Sequence, residues 1–198
     1  MAAKEDFVGK YLTSNFLIRL LLRNFFKCVE RILYDIDFKS VLEVGCGAGF
    51  STQYLKKIFQ VKNFEASEYE EGLIKEAQAR NPDLLIRQES IYRLKREPDS
   101  FDLTVVLEVL EHLKDPDSAL KELSRVSSKY CLVSVPQEPL WRILNICRLK
   151  YLSNFGNTPG HLNHWSKNQF IEFVGKYFKV KKIKLSLPWI IVLAEKRN

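Results

Sequence analysis

Histidine and cysteine are scarce in this chain, and that scarcity narrows its chemistry. Only three histidines occur in 198 residues: His112, His161 and His164. The four cysteines, Cys28, Cys46, Cys131 and Cys147, include no C-x-x-C pair, so neither a zinc ribbon nor a dithiol redox motif is expected. Isolated cysteines of this kind fit a reduced, cytoplasmic protein. No apolar run approaches the roughly 20 residues of a membrane span. The opening residues Met1-Ala2-Ala3-Lys4-Glu5-Asp6 lack an apolar core, so no secretory signal is expected. Internal repeats, low-complexity linkers and metal-ligand spacings are also missing. The expectation is one domain over 1–198 without a metal.

Basic charge is in excess, at a formal net +7. From Trp165 to Asn198 eight Lys and Arg face two Glu. Such a segment suits phosphate, anionic lipid or an acidic partner, or else is a solvated last helix and a lysine-rich edge strand. A second basic feature lies in Tyr11 to Ile36. There Ile18, Leu21, Leu22, Phe25, Val29, Ile32, Leu33 and Ile36 make an apolar face, and Arg19, Arg23, Lys27 and Arg31 follow at four-residue steps. A basic amphipathic helix either covers a domain or makes peripheral contact with a membrane surface.

The chain is organised around Val41-Leu42-Glu43-Val44-Gly45-Cys46-Gly47-Ala48-Gly49-Phe50. This reads as a buried strand, a glycine turn and a helix start. Glycines let backbone N–H groups and a helix N-terminus approach a ligand closely. The spacing is G-x-G-x-G, and Phe50 occupies the sixth position, where a dinucleotide fingerprint needs a small residue. Glu43 would repel a pyrophosphate and suits a ligand that is cationic at that end.

Further strands are predicted at Val61 to Ala66, Leu84 to Arg87, Phe101 to Leu107, Tyr130 to Val135, Val180 to Leu187 and Trp189 to Glu195. Helices are predicted at Ser51 to Phe59, Glu70 to Arg80, Asp117 to Ser127 and Lys167 to Tyr177, with another from Trp141 to Lys150. Lys95 to Ser100 reads as a surface loop. The alternation implies βαβ units and a parallel sheet covered on both sides, closed by a strand pair with one antiparallel member. Ligand-binding residues then gather along one edge of the sheet. Glu65, 20 residues after Gly45, stands where such folds put a carboxylate on ribose hydroxyls. Gln88-Glu89-Ser90 follows the third strand, with Ile91 and Tyr92 able to flank a purine. Leu107-Glu108-Val109-Leu110-Glu111-His112-Leu113 closes the fourth.

Taken together, these pieces resemble a class I S-adenosylmethionine-dependent methyltransferase over Val41 to Pro136. Within that superfamily the chain is similar to the small-molecule branch that includes the ubiquinone and menaquinone biosynthesis methyltransferases. The resemblance implies an α/β, Rossmann-like fold with a seven-stranded, mostly parallel sheet, helices on both faces and one antiparallel strand in the C-terminal hairpin. It divides the domain into N-terminal cover helices (1–37), a cofactor-binding core (38–136), an acceptor-site insertion (137–166) and a C-terminal helix and strand pair (167–198). It implies S-adenosyl-L-methionine as cofactor and S-adenosyl-L-homocysteine as product. Gly45, Gly47 and Gly49 would line the methionine part, with Cys46 and Phe50 of the same turn. Glu43 would organise the loop or face the cofactor's amino group. Glu65, beside Ala66, would take the ribose, and Glu89, Gln88 or Ser90 the adenine, with Leu107 close by.

Methyl transfer is an in-line displacement, and an acceptor that carries a proton needs a base. His112 is placed for proton work or for a structural hydrogen bond. His161 and His164, with Trp141, Tyr151 and Trp165, fall in the insertion expected at the acceptor. The basic helix and aromatic insertion lean toward a small apolar or lipid-like acceptor. The rivals are an RNA methyltransferase, a catalytically silent cofactor-binding partner and a nucleotide-dependent oxidoreductase. The amino-methylating Asp/Asn-Pro-Pro-aromatic box is replaced here by Leu107-Glu108-Val109-Leu110, which counts against nucleic acid.

Overall fold

The computed structural model describes residues 9–147, 149 and 151–197. The opening residues considered above as a signal, and Lys150 at the end of the predicted insertion helix, lie outside the described residues.

Two helices open the described chain, α1 (Gly9–Leu12) and α2 (Phe16–Leu33). Asn15 caps α2, its Oδ1 accepting from Leu17 N at 2.9 Å and Ile18 N at 3.2 Å. The apolar face predicted for this stretch is the one it buries: Leu22, Phe25, Phe26, Val29, Ile32 and Leu33 are all inside. Then follow β1 (Ser40–Val44), α3 (Phe50–Phe59), β2 (Asn63–Glu68), α4 (Glu71–Arg80), β3 (Leu85–Gln88) and β4 (Phe101–Leu107). After a 3-10 turn at Leu110–His112 come α5 (Pro116–Val126), β5 (Ser127–Pro136), α6 (Leu140–Cys147), α7 (Lys167–Gly175), β6 (Phe178–Ser186) and β7 (Trp189–Lys196).

The sheet has seven strands in the order β3-β2-β1-β4-β5-β7-β6. Its first five strands are mutually parallel, and β7 runs antiparallel to both β5 and β6. One core lies between the sheet and α2, α3 and α4, the other between the sheet and α5 and α7. Strand order reverses between β1 and β4, and the crevice beyond their carboxyl ends is where such sheets take ligands.

Two boundaries differ from expectation with consequences. β2 runs to Glu68 rather than ending at Ala66, because Ser67 O accepts from Gly45 N (2.8 Å) and Cys46 N (3.1 Å), which keeps the strand paired beyond β1. Arg96 is not part of a solvated loop: its side chain is only 6% exposed and lies between two carboxylates.

Four of the eight basic residues in the C-terminal segment are paired with acids. Lys176 pairs with Asp117, Lys181 with Glu195, Lys182 with Asp35 and Lys196 with Asp99. On β6, which has a neighbour on one side only, lysines discourage edge-to-edge pairing with another chain. No helix among the described residues is long and apolar enough to cross a membrane.

Candidate active site

A cavity of about 530 Å³ opens at the carboxyl ends of β1, β2 and β4. Its floor is the glycine turn. Gly45, Gly47 and Gly49 have φ of +76°, +54° and +80°, a region that suits glycine and strains other residues. Each has its own job. A Cβ on Gly45 would lie 2.6 Å from Val109 Cγ2, so the turn after β4 packs directly onto this glycine. A Cβ on Gly49 would strike Asn81 and Ala77 of the α4 end. A Cβ on Gly47 would meet nothing within 4 Å, and Gly47 is the glycine left open to the cavity.

Glu68 stands at the end of β2 and forms one wall. Its Oε2 accepts from Gly47 N at 2.9 Å, and its Oε1 accepts from Tyr69 N at 2.6 Å and Glu70 N at 2.9 Å. These bonds fix a half-exposed carboxylate beside the turn. The opposite wall is Ser90, Ile91 and Tyr92, where Tyr92 N donates to Ser90 Oγ at 3.3 Å. Leu107, Glu108 and Val109 continue it to His112. Glu108 has φ +55° and its carboxylate accepts from the Trp189 indole N–H.

Ten of the residues singled out from the sequence therefore share one cavity: Gly45, Cys46, Gly47, Phe50, Glu89, Ser90, Ile91, Tyr92, Leu107 and His112. Gly49 and Glu43 lie behind the turn. Glu43 is buried and accepts from Ser51 Oγ at 2.6 Å, so its visible work is to tie the turn to the start of α3. Burial pushes its carboxyl up to about 7. The Cys46 thiol is also pushed up by burial, with the charges of Glu43 and Glu68 adding to it, which excludes a ready thiolate nucleophile.

Other residues are not where the sequence put them. Glu65 is mid-strand, opposite Leu42, three residues or about 10 Å short of the strand end. Its carboxylate faces Arg96 at 3.2 Å, and Arg96 also faces Glu89 at 3.5 Å. The Glu89 side chain is thus turned into a buried ion cluster, although the residue borders the cavity. Ala66 is wholly buried. Gln88 donates to Tyr69 O at 3.1 Å, outside the cavity. His164 bonds Asn157 Oδ1 at 2.7 Å, away from the cavity wall, and burial lowers its pKa. His161 is buried behind His112, their rings 4.9 Å apart. Glu65-Ala66-Ser67-Glu68 offers two acids three residues apart, and local pattern does not say which ends the strand; the structure ends it at Glu68.

Glu43 yields a test. Its folded carboxyl titrates higher than its unfolded one, so its contribution favours the fold fully below about pH 4.5 and is lost as pH rises through about 7. Glu43→Gln removes this loss. Chemical denaturation at pH 5 and pH 8 should show the variant gaining on the native chain by an amount on the order of 2–3 kcal/mol across that interval. An unchanged difference would mean that Glu43 is already ionised at pH 5.

Comparison with known proteins agrees with this geometry. Residues 42–131 match the family model described as "Methyltransferase domain". A Mycobacterium tuberculosis protein named "Probable S-adenosylmethionine-dependent methyltransferase" is 29% identical over 109 residues, covering 54% of this chain and 39% of that protein. The chain thus spans about two fifths of the length of the curated relatives it matches. Among solved structures, magnesium protoporphyrin IX methyltransferase from Synechocystis PCC 6803 with bound SAH superposes with a TM-score of 0.71. It is 15% identical, covering 93% of this chain and 89% of that one. An S-adenosylmethionine-dependent methyltransferase from Mesorhizobium loti gives 0.64 at 13% identity, covering 85% and 96%. The fold is that of the Rossmann-like methyltransferases.

Proposed function

We propose that the protein transfers a methyl group from S-adenosylmethionine to a small, apolar acceptor presented at a lipid surface, as the quinone-biosynthesis branch does. The observation that carries the cofactor half is the pairing of Glu68 with the open Gly47 at one cavity wall. A carboxylate fixed there by three backbone N–H groups has one acceptor position left, on Oε2, for a ribose hydroxyl. The space beside Gly47 admits the amino-acid end of the ligand. Ile91 and Tyr92 offer apolar faces for a purine. Ser90 offers a polar group on that wall, while Glu89 is engaged by Arg96.

S-adenosylmethionine supplies, when bound, an electrophilic methyl on a sulfonium. The chain's residues align the acceptor and handle its proton. His112 is the histidine on the cavity wall. Its Nδ1 lies 3.0 Å from Gly160 O, and because a carbonyl only accepts, Nδ1 carries the proton of the neutral ring.

The acceptor class rests on surface chemistry. Tyr11 of α1 lines the cavity, and next to it Leu12, Phe16, Leu17 and Leu20 are all exposed. Arg19, Arg23, Lys27 and Arg31 are exposed on α2, the helix that carries Phe16, Leu17 and Leu20. Apolar side chains beside a basic face suit an anionic lipid surface at the cavity mouth. The pairing of the C-terminal lysines favours this over an RNA acceptor.

The test has two readouts. S-adenosylhomocysteine should raise the melting temperature and NAD should not. With radiolabelled methyl donor, counts should move into the organic phase of a membrane-lipid extract containing hydroxylated quinone precursors, and not into bulk tRNA. Stabilisation by NAD alone rejects the cofactor; label in tRNA rejects the acceptor.

A further inference from the structure

We propose that the insertion between β5 and α7, with the α1–α2 segment and the β6–β7 turn, docks the mouth of the cavity into an anionic lipid leaflet. The inference deepens the acceptor half of the proposed function and rests on it for the cargo, while the docking itself needs no cofactor.

The insertion helix α6 is built inside out. Of its eight residues only Asn145 is buried, while Ile143, Leu144 and Ile146 are exposed. A helix against water does the reverse and lays its apolar stripe on the core. Asn145 is held inward by its bonds: its Nδ2 donates to Gly156 O at 2.9 Å and to Thr158 Oγ1 at 3.1 Å. Trp141 Nε1 donates to the same hydroxyl at 2.8 Å. These bonds fasten the returning chain to α6 and leave the aliphatic side chains outside. The residues after the helix behave alike. Leu149 and Phe155 have φ of +54° and +49°, where Gly or Asn is the cheaper choice and a bulky residue is an outlier. Both are large and apolar, and they are 79% and 81% exposed. Neither backbone preference nor burial within the chain accounts for them, which leaves a contact outside it.

Three segments bring such side chains to one edge. β5 ends at Pro136, opposite Trp189, so the β6–β7 turn lies at the carboxyl edge of the parallel strands, where the cavity opens. Gln137 N donates to Pro188 O at 2.8 Å and ties the insertion to that turn. Asn24 Nδ2 donates to Ser186 Oγ at 3.0 Å and ties α2 to it. The turn exposes Leu185 and Leu187. The far end of the insertion returns to the turn after β4, where the exposed Leu162 donates its N–H to Glu111 O at 2.8 Å. Among the described residues fourteen Leu, Ile and Phe side chains are exposed, and all except Leu85 belong to these three segments.

Charge decides what covers this edge. Residues 9–25, 139–165 and 183–189 hold seven Lys and Arg and no Asp or Glu. Glu138, just before the insertion helix, is turned toward Arg142 with its side chain only 11% exposed. A second copy of the chain would set basic against basic. A protein partner would close over the mouth that the acceptor must enter. A leaflet with anionic lipid neutralises the cations, takes the apolar side chains to its acyl boundary and delivers an apolar acceptor from within. The exposed acids Glu70 and Glu71 stand at the other rim, at the start of α4, and keep that side in water.

The test is flotation of the full chain with vesicles. Binding to an equimolar mix of phosphatidylglycerol and phosphatidylcholine should be at least about tenfold tighter than to phosphatidylcholine alone, and salt should weaken it. The double substitution Leu149→Asn with Phe155→Asn suits positive φ and keeps the fold, and it should weaken binding at least about tenfold. Phe16→Glu should do the same, with an acid that the helix N-terminus favours. Leu85→Thr, on the edge strand β3, should change nothing. Thermal melting by circular dichroism shows that each variant is folded. Absence of vesicle binding by the native chain overturns the inference, as does binding that survives the double substitution. Dimerisation in ultracentrifugation that the double substitution abolishes, without vesicle binding, gives the face to a second copy and also overturns it. Vesicle binding without methyl transfer to a lipid-soluble acceptor upholds the docking and overturns the proposed acceptor instead.

Discussion

Gly49→Ala is expected to destabilise the protein by about 2–5 kcal/mol, whereas Gly47→Ala costs about 1–2 kcal/mol and acts on ligand binding instead. Both glycines sit at positive φ, +80° and +54°, so both substitutions share the strain of an L side chain in that region. Their surroundings separate them. The new methyl at 49 would lie 2.6 Å from Asn81 Nδ2, 2.9 Å from Ala77 Cα and 3.1 Å from Ala77 Cβ. None of these can yield cheaply. Asn81 Nδ2 is buried and donates to Gly49 O at 3.0 Å and to Ala77 O at 3.1 Å, bolting the start of α3 to the end of α4. Ala77 is itself fully buried. The methyl at 47 meets no protein atom within 4 Å and enters the space a ligand must use. Denaturant midpoints should therefore fall sharply for Gly49→Ala and slightly for Gly47→Ala. In calorimetry with S-adenosylhomocysteine, Gly47→Ala should lose affinity although it folds. Equal stability losses would mean that the α3–α4 contact is not what demands Gly49.

The difference between these glycines was not legible in the sequence, although the turn itself was. A glycine turn after a buried strand is a local signal, as is the almost continuous apolar run Phe101 to Leu107, which forms β4 at the predicted ends. What each glycine touches is set by Val109, Ala77 and Asn81, which arrive from other elements. The same limit explains Arg96. Its surroundings, Lys95 to Ser100, are polar and carry a proline, so composition points outward. Burial comes from Glu65 on β2 and Glu89 after β3, two acids that need a cation between them once the strands pair. His112 and His161 meet only because backbone bonds dock the insertion onto the turn after β4. Strand ends failed for a related reason. β2 extends to Glu68 because the glycine turn offers Gly45 N and Cys46 N to Ser67 O, a pairing between segments more than twenty residues apart.

Moving the strand end by two residues puts a different acid, Glu68, on the cavity wall, and this gives the second large expected effect. Glu68→Ala should weaken S-adenosylhomocysteine binding by about 100-fold, the loss of roughly 2.7 kcal/mol expected when a charge-assisted hydrogen bond to a ribose hydroxyl disappears. The variant also releases Gly47 N, Tyr69 N and Glu70 N, so part of the loss is loop order. Glu68→Gln separates the two contributions. It keeps the length and one carbonyl oxygen that can hold Gly47 N, and should lose only about tenfold. Glu65→Gln should behave in the opposite way. Its carboxylate faces Arg96 and Arg87 rather than the cavity, so binding should stay within about twofold. Stability should fall instead, because Arg96, with a side chain only 6% exposed, is left facing Glu89 alone. Calorimetry and denaturation on the three variants distinguish the assignments: a binding loss at 65 without one at 68 would return the ribose contact to mid-strand, against the geometry of β2.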